Sequence, residues 1–231
     1  MCIRDSDKII YSCYERHLSL IAQKTRELLT RLNNEVVHGA PVRLSISGSA
    51  GMGLALGSHI SFVQEVYATK VAADMLMPGT DVIIELGGED AKIIYFDNGI
   101  EQRMNGTCAG GTGAFIDQMA SLLDTDAAGL DALAARHTTI YPIASRCGVF
   151  AKTDVVPLLN EGAPREDLAA SIFQAVVEQT IGGLACGHPI RGKVAFLGGP
   201  LHFLPQLKAR FVETLHMAPE DVVDVPDAQY V

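Results

Sequence analysis

Asp81-Val-Ile-Ile-Glu-Leu-Gly-Gly-Glu-Asp-Ala-Lys-Ile-Ile-Tyr-Phe96 is the stretch that decides the fold. Two short apolar runs flank the pair Gly87-Gly88, so we predict two strands joined as a hairpin. Glycine leaves the backbone N–H groups of such a turn open to phosphate oxygens. The side chains of Glu85, Glu89 and Asp90 can hold Mg²⁺ through water or orient an attacking water. Taken alone, the stretch is also typical of an ordinary tight turn with solvated acids.

Other segments repeat the pattern of an apolar run followed by glycine. A strand at 193–197 ends at Gly198-Gly199-Pro200, where a flat base or ribose could lie against the backbone. A strand at 42–47 meets a glycine loop at 48–53, which lacks the lysine–serine or lysine–threonine pair of a P-loop. We expect Lys92 to face solvent. Helices are predicted over 18–32, 62–77, 113–123, 130–135, 154–159, 164–185 and 204–216. These glycine turns indicate an alternating α/β protein.

Composition narrows the class of protein. The chain has 231 residues, enough for one large or two small domains, and 48% of them are apolar. The net charge of −9 and the lack of a basic stripe disfavour nucleic acids and anionic membranes as partners. No apolar stretch long enough to span a bilayer is free of charge, and no secretory signal is readable. The five cysteines are odd in number and widely spaced, which favours a reducing cytoplasm.

Two cysteines lie at junctions between glycine-rich loops and predicted helices. The first segment is Asn105-Gly-Thr-Cys-Ala-Gly-Gly-Thr-Gly-Ala-Phe-Ile-Asp117, in which the Cys108 thiolate would lie at a positive helix end. Gly110, Gly111 and Gly113 would let backbone amides point at an anion. That anion could be a phosphate or an iron–sulfur cluster, whose sulfurs accept N–H hydrogen bonds.

The second segment, Ser145-Arg-Cys-Gly-Val-Phe-Ala-Lys-Thr153, places Cys147 in a matching setting. A lone cysteine is more often a small buried apolar residue than a ligand, and we expect Cys13 and Cys186 to be packing residues. Two cysteines in matching loops favour a shared ligand role for Cys108 and Cys147.

Together these segments resemble a known family. Cys108–Asp117 and Arg146-Cys147-Gly-Val-Phe-Ala151 look like the cluster-binding signature of the 2-hydroxyacyl-CoA dehydratase activators, whose relatives include the ATPase components of benzoyl-CoA reductases. The Gly87–Asp90 turn looks like the family's second phosphate segment, and Gly198-Gly199 looks like its adenosine segment. The resemblance runs from about Ile9 to the C-terminus, with the segments in the same order.

The resemblance implies an α/β fold of the actin-like (ribonuclease H-like) ATPase type, with ATP in a cleft between two lobes. Residues 7–100 would be the remainder of the N-terminal lobe, and residues 101–231 the C-terminal lobe. It also implies ATP with Mg²⁺, a [4Fe–4S] cluster, and delivery of a low-potential electron to a partner dehydratase or related CoA-ester reductase. The candidate residues are Asp90, Glu89 and Glu85 for catalysis, Cys108 and Cys147 for the metal cluster, and Gly87, Gly88, Gly110, Gly111, Gly113, Gly198 and Gly199 for cofactor binding.

The cysteine count adds an expectation about assembly. A [4Fe–4S] cluster usually takes four thiolates, and the two segments offer two. A two-fold arrangement of two such domains would supply the other pair, because an isologous interface presents the same residues twice. We therefore expect one cluster per two domains, in a homodimer or in a tandem pseudo-dimer within a longer polypeptide, with the dehydratase partner separate or fused.

The sequence departs from the family pattern at three points. No Asp-x-Gly-Ser/Thr phosphate hairpin precedes Ile9, and the chain ends where the last strand and helix of the fold should complete. We therefore expect a chain incomplete at its N-terminus and at its C-terminus. Glu85 and Glu89 stand where short members of the family carry Asp and Gln. These departures leave open whether the chain alone hydrolyses ATP.

Three other interpretations stay open from the residues. A cluster-free small-molecule kinase of the same fold would share the glycine turns and would be iron-free. A non-catalytic docking module would keep its cysteines in the core and bind neither ATP nor iron. A zinc site would need help from histidines, because no CxxC pair supplies four-ligand spacing. The histidines considered are His17, His59, His137 and His188.

Overall fold

The computed structural model describes residues 2–5, 8–17, 20–97, 99–105, 110–144 and 148–230. The chain divides at residue 75 into two compact units, which are described one after the other.

The first unit is built from short strand pairs and helices. Its elements are β1 (Cys2–Asp5), β2 (Lys8–Ser12), α1 (Ile21–Leu32), a π-helical turn (Asn33–Val37), β3 (Ser45–Ile46), α2 (Ser49–Ser58), β4 (Ser61–Phe62) and α3 (Glu65–Leu76). β1 and β2 form an antiparallel pair, whereas β3 and β4 are parallel. Helices α1 and α3 lie where the sequence predicts them, within a few residues at their ends.

The glycine loop predicted at 48–53 is wrong, because most of it is the first half of α2. Parallel strands need a crossover between them, and α2 supplies it between β3 and β4. Gly48 precedes the helix with a φ of 84°, a conformation that favours glycine. A Cβ at Gly51 would lie 2.7 Å from Cγ1 of Ile46, so the glycine lets α2 approach β3 closely. Here glycine permits close packing of a helix and does not mark a loop.

The second unit contains a five-stranded mixed sheet in the order β7-β6-β5-β8-β9. Its strands are β5 (Val82–Leu86), β6 (Ala91–Tyr95), β7 (Glu101–Met104), β8 (Val194–Leu197) and β9 (Val222–Val223). β6 is antiparallel to both β5 and β7, whereas β8 is parallel to both β5 and β9. The predicted hairpin is confirmed as β5–β6, and β7 is a strand that the sequence analysis missed.

Helices complete this unit. They are α4 (Gly113–Leu122), α5 (Ala127–Ala134), α6 (Gly148–Asn160), α7 (Arg165–Thr180) with a π-helical turn (Ile181–Ala185), α8 (Gly199–Phe203) and α9 (Pro205–Thr214), followed by 3₁₀ turns at Pro219–Asp221 and Ala228–Tyr230. The α/β class is confirmed. The predicted lobe boundary between residues 100 and 101 falls within this unit and stays a prediction.

Helix α7 is the centre of the core. Leu168, Ile172, Phe173 and Val176 are fully buried, and α7 contacts α4, α5, α6 and α9. Burying each such side chain contributes about 1.5–3 kcal/mol. By length and composition, the stretch Arg165–Ala185 could cross a membrane, but 67% of its most apolar window is buried inside the protein. That degree of burial is typical of a core helix.

Asp167, in the first turn of α7, ties a loop to the core. Its Oδ1 atom accepts hydrogen bonds from the N–H groups of Thr138 at 2.6 Å and Thr139 at 3.1 Å. The Thr138 N–H bond is the main reason that the pKa of Asp167 lies below its ordinary value. The residue itself is buried. The charged carboxylate therefore stabilises the fold.

Replacing Asp167 with Asn should make the free energy of unfolding depend less on pH in the acidic range. Because the folded state lowers the pKa of Asp167, the carboxylate contributes fully above its unfolded pKa of about 3.9 and loses this contribution as the pH falls through the lowered folded value. We expect Asp167→Asn to unfold at less urea than the wild type at pH 7, with the gap shrinking below about pH 4. Asp124→Asn, at a side chain 81% exposed, should match the wild type. The same pH response in both variants would contradict this account.

Candidate functional site at a hairpin turn

The turn between β5 and β6 is held in one shape by its glycines. The Gly87 N–H group donates to the Asp90 carbonyl oxygen at 2.8 Å, which closes the turn. A Cβ on Gly87 would lie 2.1 Å from Oδ1 of Asp90, so only glycine lets the Asp90 carboxylate lie over the backbone here. Gly88 and Glu89 at the tip are exposed. The turn therefore presents open backbone and acidic side chains.

The start of α4 is attached directly to this turn. The N–H groups of Gly113 and Ala114 donate to the carbonyl oxygens of Gly87 and Gly88, at 3.0 and 2.7 Å. A Cβ on Gly113 would lie 3.2 Å from the Gly88 Cα and 3.4 Å from Cγ of Pro200. The Gly113 N–H group is thus engaged by the protein itself, and the role of this glycine here is to permit close approach.

The end of β8 also contacts the β5–β6 hairpin, next to its turn. Gly198 has a φ of 92°, and its Cβ would lie only 2.0 Å from the carbonyl oxygen of Leu86, the residue before the turn. Its N–H group donates to the Ala228 carbonyl oxygen at 2.9 Å. Gly199 follows as the first residue of α8 and is buried. The structure therefore brings the glycines of the hairpin, of α4 and of the β8–α8 turn into contact.

A buried ion pair lies beneath the turn. Glu85 and Lys92 are directly opposed on β5 and β6, and Lys92 Nζ lies 2.9 Å from Glu85 Oε1 and 2.9 Å from Asp90 Oδ2. The expectation that Lys92 faces solvent is wrong, because its side chain is 3% exposed. Burial acts to lower the pKa of Lys92, but the charges of Glu85 and Asp90 outweigh it and hold the pKa above its ordinary value. Lys92 therefore stays charged.

The glycine loop before α4 packs on the end of α7. Gly110 and Gly111 are buried, and a Cβ on Gly111 would lie 3.3 Å from Oγ1 of Thr180. Upstream, Asn105 exchanges two bonds with Ala91: its N–H group donates to the Ala91 carbonyl at 3.1 Å, and its Oδ1 accepts from the Ala91 N–H at 2.9 Å. Sequence reasoning gave Asn105 no role, and a bond between residues 14 positions apart leaves no local sequence signal.

Cys108 and Cys147 lie outside the described residues, and so do their immediate neighbours 106–109 and 145–146. Gly148 and Ala144, which flank the Cys147 segment, are described and show how that segment is attached to the helices. A Cβ on Gly148, the first residue of α6, would lie 3.4 Å from Cδ2 of Phe115 in α4. The Ala144 N–H group donates to Oδ2 of Asp154 at 2.7 Å, which ties this loop to α6. The helices that follow the two cysteine segments therefore begin side by side.

Within the part of the chain that the structure describes, the remaining cysteines and histidines do not form a metal site. Among the described residues, no group of three or more His, Cys, Asp or Glu side chains could hold a metal ion. The zinc interpretation thus finds no support in that part of the chain. Cys13 is half-buried, and Cys186 is exposed, contrary to the expectation that it is a packing residue. Cys186 follows the π-helical turn with a φ of 47°, which turns it out of the core.

The chain is similar over most of its length to one family of ATPases. Residues 20–230 match the model of the BadF/BadG/BcrA/BcrD ATPase family. The chain is 34% identical to the (R)-2-hydroxyglutaryl-CoA dehydratase activating ATPase of Acidaminococcus fermentans over 122 residues, 52% of this chain and 47% of that protein. It is 31% identical to the 2-hydroxyisocaproyl-CoA dehydratase activator of Clostridioides difficile over 140 residues, 59% of this chain and 52% of that protein. The matches span about half the length of these curated relatives.

A solved structure shows the same fold. The crystal structure of the A. fermentans (R)-2-hydroxyglutaryl-CoA dehydratase component A superimposes with a TM-score of 0.71 at 30% identity, over 80% of this chain and 70% of that one. The predicted actin-like ATPase fold is therefore confirmed.

Gly198 should be the least replaceable glycine of the site. Gly198→Ala adds a Cβ that meets the Leu86 carbonyl oxygen, in a backbone conformation that costs other residues about 1–3 kcal/mol. We expect a melting temperature lower by at least roughly 4 °C, measured by circular dichroism. Gly182→Ala is the matched control, because nothing lies within 4 Å of its Cβ position. An unchanged melting temperature in Gly198→Ala would show that β8 does not pack on the hairpin as described.

Proposed function

The chain belongs to the BadF/BadG/BcrA/BcrD ATPase family, and we propose that it forms most of an ATP-driven iron–sulfur activator. The activator would deliver a low-potential electron to a 2-hydroxyacyl-CoA dehydratase or related CoA-ester reductase in the cytoplasm. One observation carries the proposal: the hairpin turn, the helix that follows the Cys108 segment and the β8–α8 turn meet at one point. A nucleotide bound there would touch the same elements that lead to the proposed cluster ligands.

The turn fits a magnesium nucleotide. Asp90 has a side chain 37% exposed, so its carboxylate can hold Mg²⁺ through water, and Glu89 lies beside it at the exposed tip. The Gly87 N–H group is engaged by the Asp90 carbonyl oxygen, so the exposed Gly88 is the glycine of the turn that suits a phosphate group. Glu85 is buried and paired with Lys92, which places it behind the others. In this proposal Asp90 and Glu89 act at the phosphates, and Glu85 supports them from beneath.

The adenosine end of the nucleotide would lie at Gly198-Gly199. Gly198 lets the backbone come close to the hairpin, and the buried Gly199 begins α8 directly after it. Gly110 and Gly111 would then lie between the β8–α8 turn and the Cys108 segment; both are buried, and Gly111 packs against the end of α7.

The donor set suits a shared [4Fe–4S] cluster held by Cys108 and Cys147. The cluster would supply one-electron transfer, and two thiolates from each of two domains would complete its four ligands. The side-by-side starts of α4 and α6 support a common site for both segments. Val149 and Phe150, which directly follow that site, are 68% and 63% exposed, as expected for residues that a second domain covers. The second domain would be another copy of this chain or a tandem copy.

Iron counting tests the cluster. After anaerobic reconstitution we expect about two iron atoms per chain, because four are shared by two domains. Cys108→Ser and Cys147→Ser should each lose the cluster and its visible absorption, since either change removes two of the four ligands. Cys186→Ser, at an exposed cysteine, should keep both. Full iron content in Cys108→Ser, or four iron atoms in a monomeric chain, would refute the shared cluster.

Hydrolysis tests the nucleotide site. Asp90→Asn removes the charge that would hold hydrated Mg²⁺, and changes at such outer contacts typically cost about 10–100-fold in activity. We expect that loss in the rate of phosphate release from MgATP. Asp97→Asn removes a half-exposed aspartate just beyond the end of β6 and should leave the rate unchanged. Equal rates of phosphate release for Asp90→Asn and the wild type would show that the catalytic site is not at this turn.

A further inference from the structure

Lys92 joins two carboxylates of very different exposure. Its ammonium group lies 2.9 Å from Glu85, whose side chain is 5% exposed, and 2.9 Å from Asp90, whose side chain is 37% exposed. The lysine therefore reaches from the interior of the sheet to the surface of the turn. Since Glu85 is directly opposite Lys92 across the hairpin, the strand register fixes where the ammonium group lies.

Stability alone does not explain this ion pair. Ile83 and Ile94, which point to the same face of the hairpin as Glu85 and Lys92, are almost fully buried. Replacing a buried ion pair by packed apolar residues is often neutral or stabilising, because two charges must otherwise lose their water. An apolar pair would thus suit positions 85 and 92 equally well. Such a pair would lose the contact with Asp90.

Both oxygens of Asp90 have defined neighbours. Oδ2 lies on the Lys92 ammonium group, and Oδ1 lies over the α-carbon of Gly87, where a Cβ would be 2.1 Å away. A carboxylate held at both oxygens has little rotational freedom left to lose when it meets a ligand, and such preorganisation is what electrostatic catalysis requires. Glu89, at the exposed tip of the turn, has a freer environment.

We propose that Lys92 is a positioning residue, which is anchored by Glu85 and holds the Asp90 carboxylate in the orientation that receives hydrated Mg²⁺ on a nucleotide. This inference rests on the proposed function and adds a role for a residue that would not itself touch the nucleotide. Lys92 therefore affects the gain in nucleotide affinity that Mg²⁺ provides. The affinity for a nucleotide without Mg²⁺ does not depend on Lys92.

Removing Lys92 alone leaves Glu85 as an uncompensated buried charge, so the test compares Glu85→Gln/Lys92→Met with Glu85→Gln. In the single variant Lys92 still pairs with Asp90; in the double variant this ion pair is lost, while the backbone of the turn is unchanged. The probe is ADPNP, titrated by calorimetry with Mg²⁺ and with EDTA. Lys70→Met, which removes a lysine paired with Asp74 on α3, is the control for loss of one positive charge. Melting curves establish that each variant is folded.

We expect Mg²⁺ to strengthen ADPNP binding in the wild type and in Lys70→Met, and to strengthen it less in Glu85→Gln, because Lys92 there keeps Asp90 but loses its anchor. In the double variant this gain should fall by about tenfold, or about 1.4 kcal/mol, while binding in EDTA stays the same. An unchanged Mg²⁺ gain in the folded double variant would overturn the role of Lys92 and leave the proposed function standing. Weaker binding in EDTA would overturn it too, because the lysine would then touch the phosphates. Absence of ADPNP binding by the wild type would overturn the proposed function and this inference together.

Discussion

The two hydrogen bonds that α4 donates to the β5–β6 turn are the constraint on which the rest of the site depends. The N–H groups of Gly113 and Ala114 would otherwise be unsatisfied at a helix start, and the Gly87 and Gly88 carbonyls would otherwise need water. Each bond contributes only about 0.5–1.5 kcal/mol, but together they fix a turn and a helix to each other. A displacement of the turn by a bound ligand must therefore move the first turn of α4 or break these bonds.

Glycine serves three different purposes around this junction. At Gly87 it makes room for the carboxylate of Asp90, at Gly113 it lets a helix touch a hairpin, and at Gly198 it lets one strand end on the backbone of another. Lys92 adds an ionic contact, because its ammonium group pairs with the Asp90 carboxylate from the buried side of the turn. The proposed function needs the three glycine contacts and the Lys92–Asp90 ion pair. An exposed carboxylate such as that of Asp90 acts on a metal only if its position is fixed. A cluster responds to a bound nucleotide only if a structural element connects the two sites.

Much of this was predictable from local sequence. The hairpin, α4, α7 and β8 follow from apolar periodicity bounded by glycine or proline, and the family resemblance assigned the glycines at 87–88, 110–113 and 198–199 to cofactor binding. The failures have physical causes. The segment at 48–53 is helical because Gly51 allows α2 to lie on β3, a tertiary contact that composition does not reveal. Lys92 is buried because the register places it opposite Glu85, and register depends on pairing between strands. The polar strand β7 has no apolar pattern, and only its pairing with β6 makes it a strand.

Amide hydrogen exchange with and without MgADPNP tests the central claim most directly. If the turn and the helix start form one mechanical junction, the nucleotide should change protection of 87–90 and of 113–116 together. It should leave protection unchanged at 101–102, which pair with the end of β6 away from the turn. Protection that changes at the turn while 113–116 stay as they were, or changes confined to 101–102, would contradict the junction described above.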